Sequence, residues 1–367
     1  HSSCPDNPSS LVAESFQMIR LAASHAQAGM ELALPIVDAF GNAVYGEGTE
    51  LTSEHIGKLP LYGIREIFIA DPLLDDVPVE PLVPPELEAK AALALRTVHE
   101  EAGFANTVEP AVIEQAVQPG YEMAKPLFPR VLGEVNSAPI SPASEYDYLM
   151  PARTASLAAM LAARLGMDMD TTGQICVGAL LMDVGTAKIA AGADEHEHQK
   201  HPVYSYVLMK DMPFISAITS ATVLQHHERL DGSGFPQGLK GDAISMGARI
   251  VGVAESYYSL ISARPGHEPW SRQDAMEYIM AFGGDLFDAK VVEAFVRSVP
   301  AYPTGVLVRL NTGETGYVID AGIGQIGRPT LRMISDKDGF KMKELFEISL
   351  TDEKHRHRVV EDAVEYG

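Results

Sequence analysis

Two adjacent histidines, followed within a few residues by a glycine turn that carries an acid and an aromatic-proline pair, are hard to produce by core packing alone. The stretch is His226-His227-Glu228-Arg229-Leu230-Asp231-Gly232-Ser233-Gly234-Phe235-Pro236. The residues before it have helical texture, so the histidines close a helix, and the glycines force a turn directly after it. Any fold of this chain therefore holds two imidazoles against a tight loop. That is an arrangement suited to chemistry, because imidazole is the side chain that both ligates metals and exchanges protons near neutral pH.

Other polar residues interrupt apolar helices in a way that gives these histidines company. Asp183 follows the apolar run Gly178-Ala179-Leu180-Leu181-Met182, His201 opens the proline-started helix His201-Pro202-Val203-Tyr204, and Glu255 closes Ile250-Val251-Gly252-Val253-Ala254. We expect Glu255 at the end of its helix, with a partner, because an unpaired buried carboxylate is costly. Carboxylate and imidazole are the usual ligands of iron, manganese or zinc in hydrolytic sites. Such ions activate water for attack on phosphorus. Asp183, His201, His226, His227 and Glu255 are the candidate metal ligands, with Asp183 also the candidate catalytic residue. His196 and His198 read as a solvated, charged connection, since Lys200 stands where an H-E-x-x-H motif needs its second histidine.

The rest of the chain sorts into modules. Its 367 residues exceed one ordinary domain. Residues 9–28 have helix-like apolar spacing. Between 30 and 71, short apolar runs at 32–37 and 43–45 flank a turn at 38–42, Thr52-Ser53-Glu54-His55 offers a helix start, and Ile67–Ala70 a closing strand. Prolines at 72, 78, 81, 84 and 85 mark a boundary. A helix follows over 86–103, and then a helical region with almost no strand signal runs from 108 to 298. After Pro300 the pattern turns to strands at 306–310, 315–319, 330–334 and 346–350, ending in a charged terminus. The reading is mainly α: residues 1–71 a leading helix and small α+β module, 72–107 linker and helix, 108–299 an all-helical domain, and 300–367 a small β-rich tail.

Several features exclude alternatives. Gly322-Ile323-Gly324-Gln325-Ile326-Gly327 fits G-x-G-x-x-G but leads into strand-like residues, so no helix N-terminus awaits a pyrophosphate and a hairpin turn is expected. Gly283-Gly284 reads as a helix break. Fifty acids against 28 Lys and Arg give a net charge of −22, which disfavours a nucleic-acid polymer but admits a small phosphate ligand. The two cysteines, Cys4 and Cys176, support neither a disulfide framework nor a zinc ribbon. With no run of 18 apolar residues and no signal pattern, a cytoplasmic protein without a membrane span is expected.

The stretch His226-His227-Glu228, then Asp231 to Pro236, Gly238-Leu239, Gly241, Ile244 and Ala248-Arg249-Ile250, closely resembles the HD-GYP family of bacterial cyclic di-GMP phosphodiesterases. The resemblance runs from about residue 145 through Arg264-Pro265 and Gly284 to Asp288. It implies an all-helical domain with a bi- or trinuclear metal site that hydrolyses a cyclic dinucleotide. Residue by residue, the pattern is only partly kept. Asp183, His201, His226 and His227 match family ligands, and Glu255 replaces an aspartate. Met150 and Met182 fall where the family has histidines, Thr186 where it has lysine, and Phe235 where it has the tyrosine of its name. Arg264 resembles a phosphate-binding arginine, and His267 falls where another cation often sits, so Phe235, Arg264 and His267 are the candidate ligand-binding residues. The segment between Asp183 and His201 is shorter than the family's.

Thioether is a poor ligand for hard or borderline ions, so half of the implied metal site is dismantled and one ion is expected rather than two, with no ion at all as the alternative. Three functional readings follow. The first is a degenerate member that binds cyclic di-GMP or a signalling-protein partner with little or no hydrolysis. The second is an active phosphodiesterase with a reduced metal site, and the third a purely structural interaction domain.

Overall fold

The structure, a computed structural model, describes residues 18–37, 43–62, 64, 66–74, 76–77, 83–104, 107–128, 143–262 and 267–363. The amino-terminal module comprises β1 (Met18–Ala22), β2 (Ile36–Val37), β3 (Ala43–Tyr45), α1 (Ser53–Lys58) and β4 (Glu66–Ala70). β1 corrects the helix expected over 9–28, of which residues 9–17 lie outside the described residues. Ile19 pairs with Ile69 and Leu21 with Ile67 across an antiparallel ladder, and all four are buried. Pairing with a strand some 45 residues away is a tertiary effect that local spacing does not carry. The short runs at 32–37 and 43–45 do yield the antiparallel pair β2 and β3, while the expected turn at 38–42 lies outside the described residues. Thr52 caps α1 by accepting from the His55 backbone N–H at 3.1 Å, and His55 Nδ1 accepts from the Thr52 N–H in return.

The helical body is α2 (Pro85–Phe104), α3 (Pro110–Ala124), α4 (Ala143–Arg164), α5 (Met169–Leu181), α6 (Glu195–His198), α7 (His201–Met209), α8 (Ala217–Gln225), α9 (Met246–Ile261), α10 (Arg272–Ala281) and α11 (Ala289–Val296). No strand forms among the described residues of 108–298, as the texture predicted. α5 sits at the centre. Every residue from Ile175 to Leu181 is buried, as an all-round apolar helix requires. Small residues let its neighbours close in: a Cβ on Gly178 would stand 2.7 Å from Thr222 of α8. Asp168, Ser216, Ser245, Ser271 and Asp288 cap α5, α8, α9, α10 and α11 by accepting backbone N–H groups of the first turn.

The tail strands β5 (Leu307–Leu310), β6 (Thr315–Asp320), β7 (Thr330–Ser335), β8 (Lys341–Ser349) and β9 (Val360–Ala363) form one antiparallel sheet in the order β8-β7-β6-β5-β9. The glycine-rich segment at 322–327 is the expected turn between β6 and β7. β9 was not foreseen. Its sequence Val-Glu-Asp-Ala has almost no apolar signal, and it exists by pairing with the edge of β5. Side chains alternate between the two faces of this sheet. Val308, Leu310, Val318, Leu331, Met333 and Ile348 join the helical core, whereas Leu307, Tyr317, Ile319 and Ile334 pack with the amino-terminal core. The sheet is a shared wall between the two bodies.

Candidate metal centre

Asp183 leaves the buried end of α5 just before the short turn Val184–Lys188. Two backbone constraints set its direction. Ser205 of α7 donates its hydroxyl to the Met182 carbonyl at 2.7 Å and accepts the Gly185 N–H at 2.8 Å. A Cβ on Gly185 would fall 2.4 Å from both the His201 carbonyl and the Ser205 nitrogen, so the turn and the first turn of α7 meet at backbone distance. Only glycine allows that approach. It brings Asp183 Oδ1 to 3.1 Å from His201 Nε2 and 3.6 Å from His226 Nε2. His201 is the first residue of α7, and His226 ends α8.

The tautomers follow from the partners. His201 Nδ1 lies 2.7 Å from the His198 carbonyl and His226 Nδ1 lies 2.8 Å from the Val223 carbonyl. A carbonyl only accepts, so both Nδ1 atoms carry hydrogen, and in the neutral rings both Nε2 atoms present lone pairs. Those lone pairs face each other at 3.2 Å with the Asp183 carboxylate beside them. Such a set of acceptors demands a cation at its centre, a proton or a metal ion. His227 completes it: one ligand atom from each of Asp183, His201, His226 and His227 lies within 4.8 Å of all the others. Backbone carbonyls that fix the far nitrogen of each ligating ring are the usual outer support of a metal site.

Electrostatics separate these groups. Burial opposes charge on Asp183, yet the His201 and His226 imidazoles beside it outweigh that and hold its carboxyl well below the usual carboxylate range. Burial likewise opposes charge on His201, and its hydrogen bond to Asp183 overcomes that and raises its pKa. His227 is driven well below its ordinary value by burial and by the neighbouring His226 and His201. Glu255 is raised by burial, which Arg229 only partly offsets.

Glu255 lies in the middle of α9 rather than at a helix end, because the apolar pattern continues through Tyr257, Tyr258 and Ile261, all buried. Its Oε2 stands 3.9 Å from His227 Nδ1 and 4.0 Å from Arg229 Nη2, beside the four-residue cluster and outside it. Phe235 stacks on His227 with ring centroids 4.5 Å apart and turns an edge to His201. The loop that carries it folds back tightly: Glu228 accepts the N–H groups of Gln237 and Leu239 at 2.7 and 2.9 Å, and a Cβ on Gly234 would collide with the backbone at 227–229. Arg249 ties the far side of this loop to Asp288 and Asp242.

None of the remaining described candidates belongs to the four-donor cluster. Arg264 lies outside the described residues. His267 makes its hydrogen bond to the Leu260 carbonyl at the end of α9 and none to the histidine cluster. Met150 and Met182 are buried in the helical core, where Met150 Sδ accepts from Thr154. Thr186 donates its hydroxyl to the Asp183 carbonyl at 2.7 Å. His196 and His198 are exposed, as expected. Sequence reasoning missed the parts played by Gly185, Ser205 and Glu228. Ser205 sits four residues after His201, on the same helix face, and that spacing was the available signal.

This cluster, on a helical bundle, defines the class: residues 135–291 match the family model described as HD domain. The helical part of the chain is similar to cyclic di-GMP phosphodiesterases. It is 31% identical over 186 residues to a cyclic di-GMP phosphodiesterase of Pseudomonas aeruginosa, covering 48% of this chain and 45% of that one. It is 37% identical over 157 residues to the cyclic di-GMP phosphodiesterase response regulator RpfG of Xanthomonas campestris, covering 40% and 41% respectively. These matches therefore span less than half of either relative's length. A solved HDG"Y"P protein of Bdellovibrio bacteriovorus shares the fold, with a TM-score of 0.50 at 15% identity over 76% of this chain and 97% of that one. Among the described residues no helix is long and apolar enough to cross a membrane.

Proposed function

We propose that this protein holds one divalent ion, iron, manganese or zinc, through Asp183, His201, His226 and His227. With that site it binds cyclic di-GMP or a closely related cyclic dinucleotide, with little or no hydrolysis. The observation that carries the reading is the asymmetry of the donors: four converge within 4.8 Å, while the two positions where the family has further histidines hold buried methionines. Met150 and Met182 fill space with apolar, flexible side chains.

The donor set suits a borderline ion, with three imidazoles and a carboxylate. When bound, the ion would supply Lewis acidity toward a phosphodiester oxygen. The chain's own residues do the rest. The His198 and Val223 carbonyls keep two imidazoles oriented with Nε2 inward, Ser205 pins the peptide before Asp183, and Phe235 covers His227 with a ring that has lost the family's hydroxyl. Glu255 stands by as a fifth donor. Without a second ion there is no clamp on both the attacking and the leaving oxygen of an in-line displacement, and that loss favours binding over turnover. We assign Arg264 and His267 to the ligand side on the family pattern alone.

The test is elemental analysis of protein reconstituted with each metal, calorimetric titration with cyclic di-GMP, and a hydrolysis assay. We expect one ion per chain, saturable binding that Arg264→Ala weakens, and no turnover near the ~1–10³ per second of ordinary enzymes. Ordinary turnover would replace this reading with an active phosphodiesterase. Protein that takes up neither metal nor nucleotide would leave an interaction domain.

A further inference from the structure

Helix α2 precedes residues 135–291, which match the HD domain, yet its last turns reach the metal centre. His99 Nε2 lies 3.1 Å from Thr186 Oγ1. The proton positions along this contact are determined. Thr186 Oγ1 is 2.7 Å from the Asp183 carbonyl, which can only accept, so the hydroxyl hydrogen is committed there. His99 must therefore be the donor, and a directed chain runs from its Nε2–H through the Thr186 hydroxyl to the Asp183 carbonyl. The same carbonyl also receives the Thr186 backbone N–H at 2.9 Å. Asp183 is thus pinned from two sides: through Ser205 of α7 on the peptide before it, and through His99 of α2 on the peptide after it.

Its backbone needs such pinning. At φ −105° and ψ 2°, Asp183 sits in the sparsely populated bridge region between two helical turns, where small rotations swing the carboxylate. His99 and Tyr148 also line a small crevice with Leu95, Asp183 and Val184, and the two rings meet edge to face at 5.6 Å. The other end of α2 is anchored separately, where Ser156 of α4 donates to half-buried Glu88 at 2.7 Å. α2 is held at one end on the core and at the other on the loop that carries a ligand.

We propose that His99 is a positioning residue of the metal centre, which orients Asp183 through Thr186 and so gives α2 a hold on the ligand set. This rests on the metal-binding reading, and the experiment separates the two. Amide hydrogen exchange of residues 183–188 is measured in metal-free full-length protein, and Mn²⁺ affinity by calorimetry, for the native chain, His99→Ala, His99→Gln and Thr186→Val. Glutamine places an amide N–H close to where the imidazole Nε2–H lay. The expected result is faster exchange confined to 183–188 and Mn²⁺ affinity weakened about 10-fold in the alanine and valine variants, the loss typical of an outer-sphere partner. His99→Gln should restore both.

Unchanged exchange and affinity in His99→Ala would overturn the proposal. So would exchange that rises evenly across α2, α4 and α5 and that glutamine does not rescue, because that pattern marks a packing residue. If the native protein takes up no Mn²⁺, the metal reading falls and the exchange result alone decides the role of His99.

Discussion

A cation entering between Asp183, His201 and His226 competes with the proton that those acceptors share. In metal-free protein the sign of each contribution follows from its shift. The depressed carboxyl of Asp183 contributes stability above the ordinary aspartate value of about 3.9, lost as pH falls through its lower folded value. The raised imidazole of His201 contributes stability that is complete below about 6.5 and is lost as pH rises through its higher folded value. A metal ion needs His201 neutral, so its binding gains where the ion pair loses. His227, already driven toward the neutral form, imposes no such cost. Mn²⁺ affinity should therefore rise roughly tenfold or more between pH 6 and pH 8, with proton release visible as a dependence of the calorimetric heat on buffer ionisation enthalpy. Affinity flat with pH and free of proton release would contradict this arrangement. Asp183, His201, His226 and His227 were legible in the sequence because metal-ligating side chains are rare, recognisable types. Glu228 and Ser205 were not, because their work is done on backbone groups whose proximity only the fold creates.

At the scale of elements, the turn at 184–188 meets α7 at backbone distance, and that approach depends on Gly185. The methyl of Gly185→Ala would meet backbone on α7, which cannot rotate away as a side chain can. We expect the substitution to destabilise the protein by about 1–3 kcal/mol, the usual range for overpacking, and to weaken metal binding because Asp183 moves from His201 and His226. Chemical denaturation and metal titration together check it, and a stable variant with native affinity would show that the turn can shift without cost. The helices were legible because their apolar periodicity and caps are local properties. β1, β9 and the mid-helix position of Glu255 were not. The first two are strands by virtue of a partner far along the chain, and the third was misplaced because a polar residue inside a buried helix mimics a terminus.

Across the whole molecule, the tail sheet joins the helical body to the amino-terminal module. Its period-2 alternation sends Val318 into one core and Tyr317 with Ile319 into the other, so neither face is left to solvent across the middle strands. Arg332 of β7 adds direction to that apolar contact. Its guanidinium donates to both Asp76 oxygens at 2.6 and 2.8 Å, to the Leu73 carbonyl at 2.6 Å and to Glu347 at 2.6 Å, and the carboxylates of Asp76 and Glu347 raise its pKa further. A bidentate, charge-assisted pair fixes orientation as well as proximity. Arg332→Met keeps the apolar stem and removes the fork. Hydrogen exchange should then accelerate several-fold in β1, β4 and the turn at 72–74, while exchange in α5 and Mn²⁺ affinity stay unchanged, because Arg332 bonds to Leu73, Asp76 and Glu347 and to none of the four donors of the metal centre. Loss of metal affinity in this variant would instead show that the amino-terminal module and the site are mechanically linked through the sheet. That would make the seat of this module on the sheet a second route to Asp183 beside α2.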